Sequence, residues 1–409
     1  MNDLSRTVSD SIKQLLQQFP CVAILGARQV GKSTLLKQLL PNASFFDLES
    51  TQDYEQVQRD PLFFIQNQPN PLILDEAQLL PALFPALRVA IDQNRKIKGQ
   101  FLISGSSSPD LIKNISESLA GRIALVELGT LTIEESWKEK ASPFFEIFNT
   151  KSFSDLRNLK PRMTIQQLLT SCLYGGYPEP FLNRDQPDFV SRWMDNYFAT
   201  YINRDVRKLF PGLNMDNYTR FIKMLAFSSA QIINYSQFAH SLDTSQPTAR
   251  SYFEIAEGTY LWRTRPSFQK TQKKRLLKMP KGHLRDSGLI NHMLRIRTIG
   301  DLQGHPSFGG IWETFIIEHL IKSFKNSLIS CNTCYYRTHD NAEIDLVLEG
   351  DFGLIPIEIK SGTTVPTNRL QTLRKFVEEF QCPAGIVISN AEKADLIAPN
   401  IYQVPASCL

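Results

Sequence analysis

The sequence lacks a long hydrophobic segment. No apolar run among its 409 residues approaches the roughly 18 residues that a membrane-spanning helix needs. Residues 1–18 are polar and amphipathic, without the uninterrupted apolar core of a secretory signal. These absences predict a cytoplasmic protein with no membrane partner.

Cysteine is scarce as well. The six cysteines are scattered along the chain, which is typical of a reducing compartment. Cys331 and Cys334 form a lone CxxC pair, and without a second pair this favours two small thiols at a strand edge over a zinc site. With 42% hydrophobic and 21% charged residues, the composition is that of an ordinary globular chain with room for about two to four domains.

The most specific pattern that is present lies near the N-terminus. Residues 26–33 (GARQVGKS) fit GxxxxGK(S/T) without a mismatch, between a predicted buried strand at residues 21–25 and a predicted helix at residues 33–40. Glycines let consecutive N–H groups point at a polyphosphate, and the helix N-terminus adds partial positive charge. Lys32 would reach the β- and γ-phosphates, and Ser33 would ligate Mg²⁺. The residues predicted to hold the nucleotide are Gly26, Ala27, Arg28, Gln29, Val30, Gly31, Lys32, Ser33 and Thr34.

A second nucleotide signal follows at residues 71–76 (PLILDE). Three apolar residues predict a buried parallel strand, and ligands of such sheets bind at the carboxyl ends of the strands. Asp75 would therefore hold Mg²⁺, directly or through water, and Glu76 would polarise the attacking water as a general base. The next predicted strand, residues 100–104, ends in small polar side chains. A helix at residues 111–121 and a further strand at residues 123–128 are predicted after it. Ser104 or Ser106 would sense the γ-phosphate or position water.

The middle of the chain combines short helical patterns with a block of positive charge. Helices are predicted at residues 235–242 and 245–256, with Ser245 as an N-cap, and a strand follows at residues 260–265. This order predicts a winged helix. The side chains predicted to face a DNA groove are Gln246, Thr248, Arg250 and Ser251.

The charge of this region is uneven. Residues 259–300 contain eleven Lys or Arg and one Asp, a net of +10, so the rest of the chain carries −6 of the total +4. Its densest part comprises Lys270, Lys273, Lys274, Arg275, Lys278 and Lys281. Such a block suggests a polyanionic partner, here DNA bound through its phosphates, or else a solvated charged face on a module that docks protein.

The last hundred residues contain a second set of charges. A predicted helix carries Glu313 and Glu318, and two predicted strands carry Asp345 and the Glu358–Lys360 pair. Because side chains alternate along a strand, Asp345, Glu358 and Lys360 converge if the two strands are neighbours.

The nucleotide patterns together resemble the AAA+ superfamily. They are the phosphate loop, residues 72–78 (LILDEAQ), the small polar strand end and residues 118–122 (SLAGR). More narrowly, the chain resembles AAA+-like P-loop ATPases with a DUF4143-type C-terminal half. The resemblance implies ATP and Mg²⁺ as cofactors. It places Arg122 where an arginine finger would complete a neighbouring subunit's site in a homo-oligomer, although Arg122 would equally cap its helix C-terminus.

Other family patterns occur in the middle of the chain. Residues 174–180 (YGGYPEP) predict a loop between helices, and residues 201–206 (YINRDV) lie on a predicted lid helix. There Arg204 and Asp205 would form a structural ion pair or a cap, with nucleotide sensing as the minority interpretation for Arg204. A KRxxKxPK form at residues 274–281 precedes a D-x-G at residues 286–288.

The C-terminal charges resemble the PD-(D/E)xK nuclease core. That resemblance implies that Asp345 and Glu358 bind Mg²⁺ with help from Glu313 and the Ile359 carbonyl. The metal would polarise the scissile phosphate and lower the pKa of bound water, and Lys360 would orient or deprotonate that water. A degenerate domain that binds nucleic acid or serves only as structure is the open alternative.

These patterns predict an α/β chain with four parts. They are an AAA+-like P-loop domain with a parallel sheet at residues 1–140, a helical lid at 141–215, a winged-helix-like domain with the basic segment at 216–300, and a restriction-endonuclease-like α/β domain at 301–409. The predicted function is an ATP-hydrolysing, DNA-associated protein with a metal-dependent nuclease domain. The alternative is a nucleotide-dependent switch or scaffold that binds proteins and cuts nothing.

Overall fold

The computed structural model describes residues 4–106, 115, 117–201, 206–269, 275, 278–363 and 370–409. The chain forms two compact units. The N-terminal unit contains the chain up to Thr130 together with Gly258–Tyr260, and the C-terminal unit contains Leu131–Glu257 and Leu261–Leu409. The four-part division of the chain stays a prediction.

The N-terminal unit alternates helices and strands. Its helices are α1 (Ser9–Gln18), α2 (Lys32–Leu39), α3 (Thr51–Gln58), α4 (Pro61–Gln66) and α5 (Leu83–Gln93). Its strands are β1 (Cys21–Gly26), β2 (Ser44–Asp47), β3 (Leu72–Asp75), β4 (Phe101–Ser106) and β5 (Ile123–Glu127). Residues 111–114 and 116 of the helix predicted at residues 111–121 lie outside the described residues.

The five strands form a parallel sheet in the order β2-β3-β4-β1-β5. Every residue of β1 and β3 is buried, as expected for parallel strands covered on both faces. The strands predicted from apolar runs at residues 21–25, 72–74, 100–104 and 123–128 are confirmed. Because β3, β4 and β1 are neighbours, the residues that follow them meet at one edge of the sheet.

The C-terminal unit begins with helices. They are α6 (Ile133–Trp137), α7 (Pro143–Thr150), α8 (Ile165–Tyr174), α9 (Pro178–Leu182), α10 (Pro187–Thr200) and α11 (Arg207–Leu209). Of the predicted loop at residues 174–180, only residues 175–177 lie between α8 and α9, because residues 178–180 form the start of α9. Gly176 N–H donates to Asp286 Oδ2 at 2.8 Å, so two family patterns that lie 110 residues apart in sequence hold each other.

The next six elements run helix, strand, helix, helix, strand, strand. They are α12 (Met215–Phe227), β6 (Gln231–Ile232), α13 (Tyr235–Ser241), α14 (Gln246–Gly258), β7 (Trp262–Arg265) and β8 (Lys281–Leu284). The strands form an antiparallel sheet in the order β6-β8-β7. The two predicted helices and the strand are confirmed, and Thr248 N–H donates to the Ser245 hydroxyl at 3.2 Å as the predicted cap requires.

The remaining elements build a six-stranded sheet with helices. The helices are α15 (Ser287–Met293), α16 (Ile299–Gly304), α17 (Phe308–Asn326) and α18 (Gln371–Glu379). The strands are β9 (Cys331–Arg337), β10 (Glu343–Gly350), β11 (Gly353–Ile359), β12 (Gly385–Ser389), β13 (Asp395–Ala398) and β14 (Ile401–Pro405), in the order β13-β14-β12-β11-β10-β9. β10 and β11 are antiparallel neighbours, which is the condition for the predicted convergence of charges. Within the described residues, no helix has both the length and the apolarity to cross a bilayer.

Candidate nucleotide site and C-terminal acidic site

The predicted phosphate loop connects β1 directly to α2. Gly31 precedes the helix with φ 95°, a left-handed conformation that favours glycine. At Gly26 a side chain has no room, because a Cβ would lie 2.2 Å from the Leu128 carbonyl oxygen. The loop is thus curled and packs closely against the backbone at Leu128. The first N–H groups of α2 lie at its end.

Lys32 is the first residue of α2 and is buried. Its Nζ donates to the carbonyls of Gly26 at 3.3 Å and Ala27 at 3.1 Å, and it lies 3.6 Å from Glu76 Oε1. Burial lowers the pKa of this ammonium, although the charges of Glu76 and Asp75 oppose that effect. The predicted phosphate-binding lysine therefore lies beside the predicted acidic pair.

Asp75 and Ser104 meet across neighbouring strands, β3 and β4. Both are buried, and the Ser104 hydroxyl donates to Asp75 Oδ1. The same hydroxyl accepts from Glu76 N–H at 3.2 Å. Ser104 therefore fixes the turn at the end of β3 and orients the carboxylate that was predicted to hold Mg²⁺.

Glu76 follows β3 with φ 53° and is surrounded by donors. Its Oε2 accepts from Ser106 N–H at 3.1 Å, the Ser106 hydroxyl at 2.6 Å and Gln78 Nε2 at 2.5 Å. Burial opposes ionisation, but Lys32 and these hydrogen bonds lower the pKa of Glu76 to about 2. Gln78 belongs to the family pattern LILDEAQ, but no local pattern indicated that it would bind this carboxylate.

The exposed side of the loop carries the other predicted contacts. Arg28 Nη2 lies 3.3 Å from Glu49 Oε1, at the end of β2. Gln29 and Thr34 are exposed, Val30 is buried, and Ser33 is half-buried at the start of α2. The polar side chains of Gln29 and Thr34 thus face solvent, whereas the apolar side chain of Val30 packs inside the unit.

The residues present fit a magnesium-bound nucleoside triphosphate. A curled loop and a helix N-terminus supply N–H donors for phosphate oxygens, and the buried Lys32 adds a positive charge. The Ser33 hydroxyl and the Asp75 carboxylate are oxygen ligands of the kind that Mg²⁺ prefers. When bound, the cation would neutralise charge on the phosphates.

Arg122 lies at the opposite edge of the sheet. Its carbonyl accepts from Cys21 N–H at the start of β1, about 17 Å of strand from the phosphate loop. Nε and Nη2 each donate to the Asp92 carboxylate at 2.8 Å, and Nη1 donates to the Ala120 carbonyl at 3.0 Å. Arg122 is thus remote from the loop of its own chain, and both interpretations of this residue, an arginine finger and a helix cap, stay predictions.

The C-terminal charges converge. Ile359 N–H on β11 donates to Asp345 Oδ2 on β10 at 2.8 Å, and Lys360 Nζ lies 2.5 Å from Glu358 Oε1. Burial, followed by the negative charge of Asp345, raises the pKa of Glu358 to about 8. The same two causes raise the pKa of Glu313, on α17, to about 7. Three carboxyl groups therefore share one partly buried place.

Two cations from β7 and β8 also enter this acidic site. Lys281, which was expected on an exposed basic segment, is buried with Nζ 2.8 Å from Glu313 Oε1 and 2.5 Å from Glu343 Oε1. Arg265 is fully buried, donates to the Asp345 carbonyl at 2.5 Å and lies 3.5 Å from Glu313. Sequence reasoning missed both roles, because neither residue lies near the carboxylates in sequence.

Much of the basic block is neutralised inside the unit. Arg275 pairs with both oxygens of Glu349, at 2.8 and 3.0 Å, and Arg263 and Arg285 pair with the buried Glu318. Of the eight basic residues of the block that the structure describes, five therefore have carboxylate partners within the unit. Lys270, Lys273 and Lys274 lie outside the described residues, as do Arg204 and Asp205.

Among the described residues, no group of three or more His, Cys, Asp or Glu side chains is arranged to hold a metal ion. In the acidic site, Lys281 and Lys360 lie against Glu313, Glu343 and Glu358. Cys331 and Cys334 are free thiols on the edge strand β9, three positions apart and hence on opposite faces.

The predicted groove-facing residues lie on one helix, α14. Gln246, Arg250 and Ser251 are exposed and Thr248 is half-buried. Arg250 stacks over the Tyr235 ring at 4.7 Å. This face is polar and open, which is compatible with either DNA or protein as a partner.

Three family models match the chain. They are an AAA domain at residues 18–137, the domain of unknown function DUF8612 at residues 165–299, and the domain of unknown function DUF4143 at residues 308–409. The uncharacterized proteins Rv2008c of Mycobacterium tuberculosis and Mb2031c of Mycobacterium bovis are each 30% identical to the chain over 404 residues. These matches cover 98% of this chain and 83% of each relative.

The chain belongs to the family of AAA-domain proteins with a C-terminal DUF4143 region. Among solved structures it is similar to the Walker-type ATPase PABY2304 of Pyrococcus abyssi, with 14% identity and a TM-score of 0.41. That match covers 70% of this chain and 94% of the other.

The matched AAA domain contains all residues of the candidate nucleotide site, from Gly26 to Ser106. The acidic site is divided between two matched regions: Arg265 and Lys281 belong to the DUF8612 region, whereas Glu313, Asp345 and Glu358 belong to the DUF4143 region. The DUF4143 region therefore depends on two cations of the DUF8612 region to balance the charge of its buried carboxylates.

Proposed function

We propose that this protein binds and hydrolyses ATP with Mg²⁺ at the phosphate loop of its AAA domain. The observation that carries the proposal is the meeting of Lys32, Asp75, Glu76 and Ser104 at one edge of the parallel sheet. Lys32 and the loop N–H groups bind the phosphates, Ser33 and Asp75 hold the cation, and Glu76 orients the attacking water.

The substitution Lys32→Ala tests the site. It should reduce ATP turnover by about a hundredfold or more, because it removes a charge-assisted hydrogen bond and the counter-charge of the phosphates. Lys37→Ala is the matched control, since Lys37 lies on the same helix, is exposed and contacts the Phe45 ring. Phosphate release by the purified variants is the measurement, and turnover by Lys32→Ala equal to that of the control would refute the assignment.

We further propose that the protein forms homo-oligomers in which Arg122 acts on a neighbouring chain's nucleotide. The proposal is supported by the position of Arg122 at the sheet edge opposite its own phosphate loop, so it has no role there in cis. Sedimentation with ATP tests this role, and a protein that turns over ATP as a monomer would exclude it.

A second activity is favoured by the acidic site. We propose that the protein associates with DNA through the winged-helix-like elements and the basic segment, and that Asp345, Glu358 and Lys360 cut it with a divalent cation. Support comes from the convergence of these three residues with Glu313, and from the order of elements α12 to β8, which is that of a winged helix. Two observations instead favour the alternative, a nucleotide-dependent switch that docks protein. Among the described residues no group of three or more carboxylates is arranged to hold a metal ion, and five basic residues pair with carboxylates inside the unit.

Plasmid DNA distinguishes these two functions. With Mg²⁺ or Mn²⁺, the wild-type protein should nick or linearise the plasmid, and Glu358→Ala should lower the rate by at least about a hundredfold through loss of a metal ligand. Glu392→Ala, at an exposed carboxylate, is the control. Equal rates for wild type and Glu358→Ala remove the nuclease proposal, and DNA affinity unchanged between about 50 and 200 mM salt removes phosphate-based binding.

A further inference from the structure

Arg6 is a buried arginine that no sequence pattern singled out. It lies in the segment before α1 and only 6% of the residue is exposed. Its Nη1 donates to the Val30 carbonyl at 2.8 Å, and its Nη2 donates to the Gly129 carbonyl at 2.8 Å. One guanidinium thus joins the phosphate loop to the segment that follows β5.

The bond to Val30 determines where the next N–H group points. In a trans peptide the C=O of one residue and the N–H of the next point in opposite directions across a rigid plane. Because Arg6 binds the Val30 carbonyl, the Gly31 N–H points away from the guanidinium. That is the side of the loop on which we expect a phosphate to bind. The guanidinium also lies within 3.9 Å of the Cβ position of Gly31, so its charge is close behind the loop.

The segment after β5 touches the same loop at a second place. Leu128 N–H donates to the Leu25 carbonyl at 2.7 Å, and the Leu128 carbonyl packs against Gly26. Thr130 is the last residue of the N-terminal unit before the chain enters the C-terminal unit. The backbone that leaves the N-terminal unit therefore contacts the phosphate loop at two places, at Gly26 directly and at Val30 through Arg6.

We propose that Arg6 is a positioning residue of the nucleotide site, and that it couples occupancy of the phosphate loop to the exit segment at residues 128–130. The inference rests on the proposed function, since the loop must bind a polyphosphate. A nucleotide that restricts the motion of the loop should also restrict the motion of the exit segment, because the Arg6 guanidinium is bonded to both. Arginine suits this role because its donors lie on separate nitrogens of a rigid plane, whereas lysine offers a single nitrogen.

Nucleotide affinity tests the positioning role. Arg6→Lys and Arg6→Met are compared with Arg88→Lys and Arg88→Met, at an exposed arginine on α5. Calorimetric titration should show that the Kd values for ATP and ADP rise about tenfold to a hundredfold in the Arg6 variants. This is the effect of one lost hydrogen bond to a charged group. Binding of AMP, which lacks the β-phosphate that the loop holds, should be unchanged. If Arg6 only stabilises the fold, its variants should have a lower thermal unfolding midpoint, but their affinities for ATP, ADP and AMP should change equally.

Amide hydrogen exchange tests the coupling in the wild-type protein. Addition of ADP should slow exchange in peptides that cover residues 125–131, and Arg6→Lys should lose that protection while it retains the protection of α2. No protection in the wild type, or equal protection in both proteins, overturns the coupling.

The outcomes separate the two proposals. If ADP binds wild type and Lys32→Ala equally, the proposed nucleotide site is wrong. If Lys32→Ala weakens binding but both Arg6 variants bind ATP and ADP as tightly as the Arg88 variants, the assignment of Arg6 alone is overturned.

Discussion

Among single residues, Glu76 lies in surroundings that do not suit the general base that the sequence predicts. A general base acts best with a pKa near the working pH, yet three hydrogen bonds and Lys32 hold the pKa of Glu76 at about 2. In this arrangement Glu76 is a stable carboxylate that can accept a hydrogen bond from water and orient it. To take up a proton it must first leave Ser106 and Gln78.

The substitution Glu76→Gln separates binding from chemistry. ATP affinity should be kept within about threefold, because Lys32 and the loop remain, whereas kcat should fall by about a hundredfold or more through loss of the carboxylate that orients water. The measurements are kcat under saturation and Kd by titration. Glu55→Gln, at an exposed residue of α3, is the control. A kcat within about threefold of wild type would contradict the role.

Lys281 shows where residue-level reasoning fails. In sequence it belongs to a row of cations, and the usual interpretation of such a row is an exposed face. In the structure it is buried between Glu313 and Glu343, which lie 32 and 62 positions further along the chain. Its role depends on the packing of β8 against α17 and β10, and no local pattern encodes that packing.

At the level of elements, the predictions succeeded where the signal is local. Short apolar runs between polar turns are typical of buried parallel strands, and four such runs became β1, β3, β4 and β5. Ser245 was predicted as an N-cap from its position before a helical pattern, and its hydroxyl accepts from Thr248 N–H. Both signals act over a few residues.

Elements whose partners are distant in sequence were harder to predict. The strand predicted at residues 260–265 is present as β7, but its partner β8 and the two-residue β6 were not anticipated. The convergence of Asp345 with Glu358 was predicted only on condition that their strands are neighbours. The antiparallel pairing of β10 and β11 satisfies that condition.

Over the whole molecule, the two units differ in their titratable groups. All six histidines of the sequence lie in the C-terminal unit. Burial lowers the pKa of His283 to about 4. Burial also opposes the ionisation of Glu318, but the charge of Arg263, the hydrogen bond with His283 and the charge of Arg285 hold the pKa of Glu318 well below its usual range. Burial lowers the pKa of His319 to about 3 and raises the pKa of the neighbouring Glu134 to about 7. The contribution of His319 to stability is therefore lost as the pH falls, whereas that of Glu134 is lost as the pH rises.

The His283–Glu318 pair predicts an acid-sensitive C-terminal unit. Unfolded histidine takes up a proton near pH 6.5, whereas folded His283 does so only near pH 4. Its contribution to stability is therefore complete above about pH 6.5 and is lost as the pH falls toward 4, with a slope of up to about 1.4 kcal/mol per pH unit. Glu318 acts in the same direction below its usual pKa.

Urea unfolding at several pH values between 4 and 7.5 is the measurement. His283→Gln should flatten the pH dependence of the unfolding free energy by up to about 1.4 kcal/mol per pH unit, whereas His240→Gln, at an exposed position, should leave it unchanged. An unchanged slope in His283→Gln would contradict this account of the buried pair.

The sequence by itself determined the strands of the parallel sheet, the phosphate loop and the identity of the residues at its edge. Their signals are periodicity, glycine spacing and the strand ends, and each acts within about ten residues. The tertiary structure decided what those side chains bind: Glu76 is held by Gln78 and Ser106, Arg6 holds Val30, and much of the basic block pairs with buried carboxylates. The reason is physical, because a buried charge takes its partner from whatever element packs against it, and packing brings together residues that are far apart in sequence.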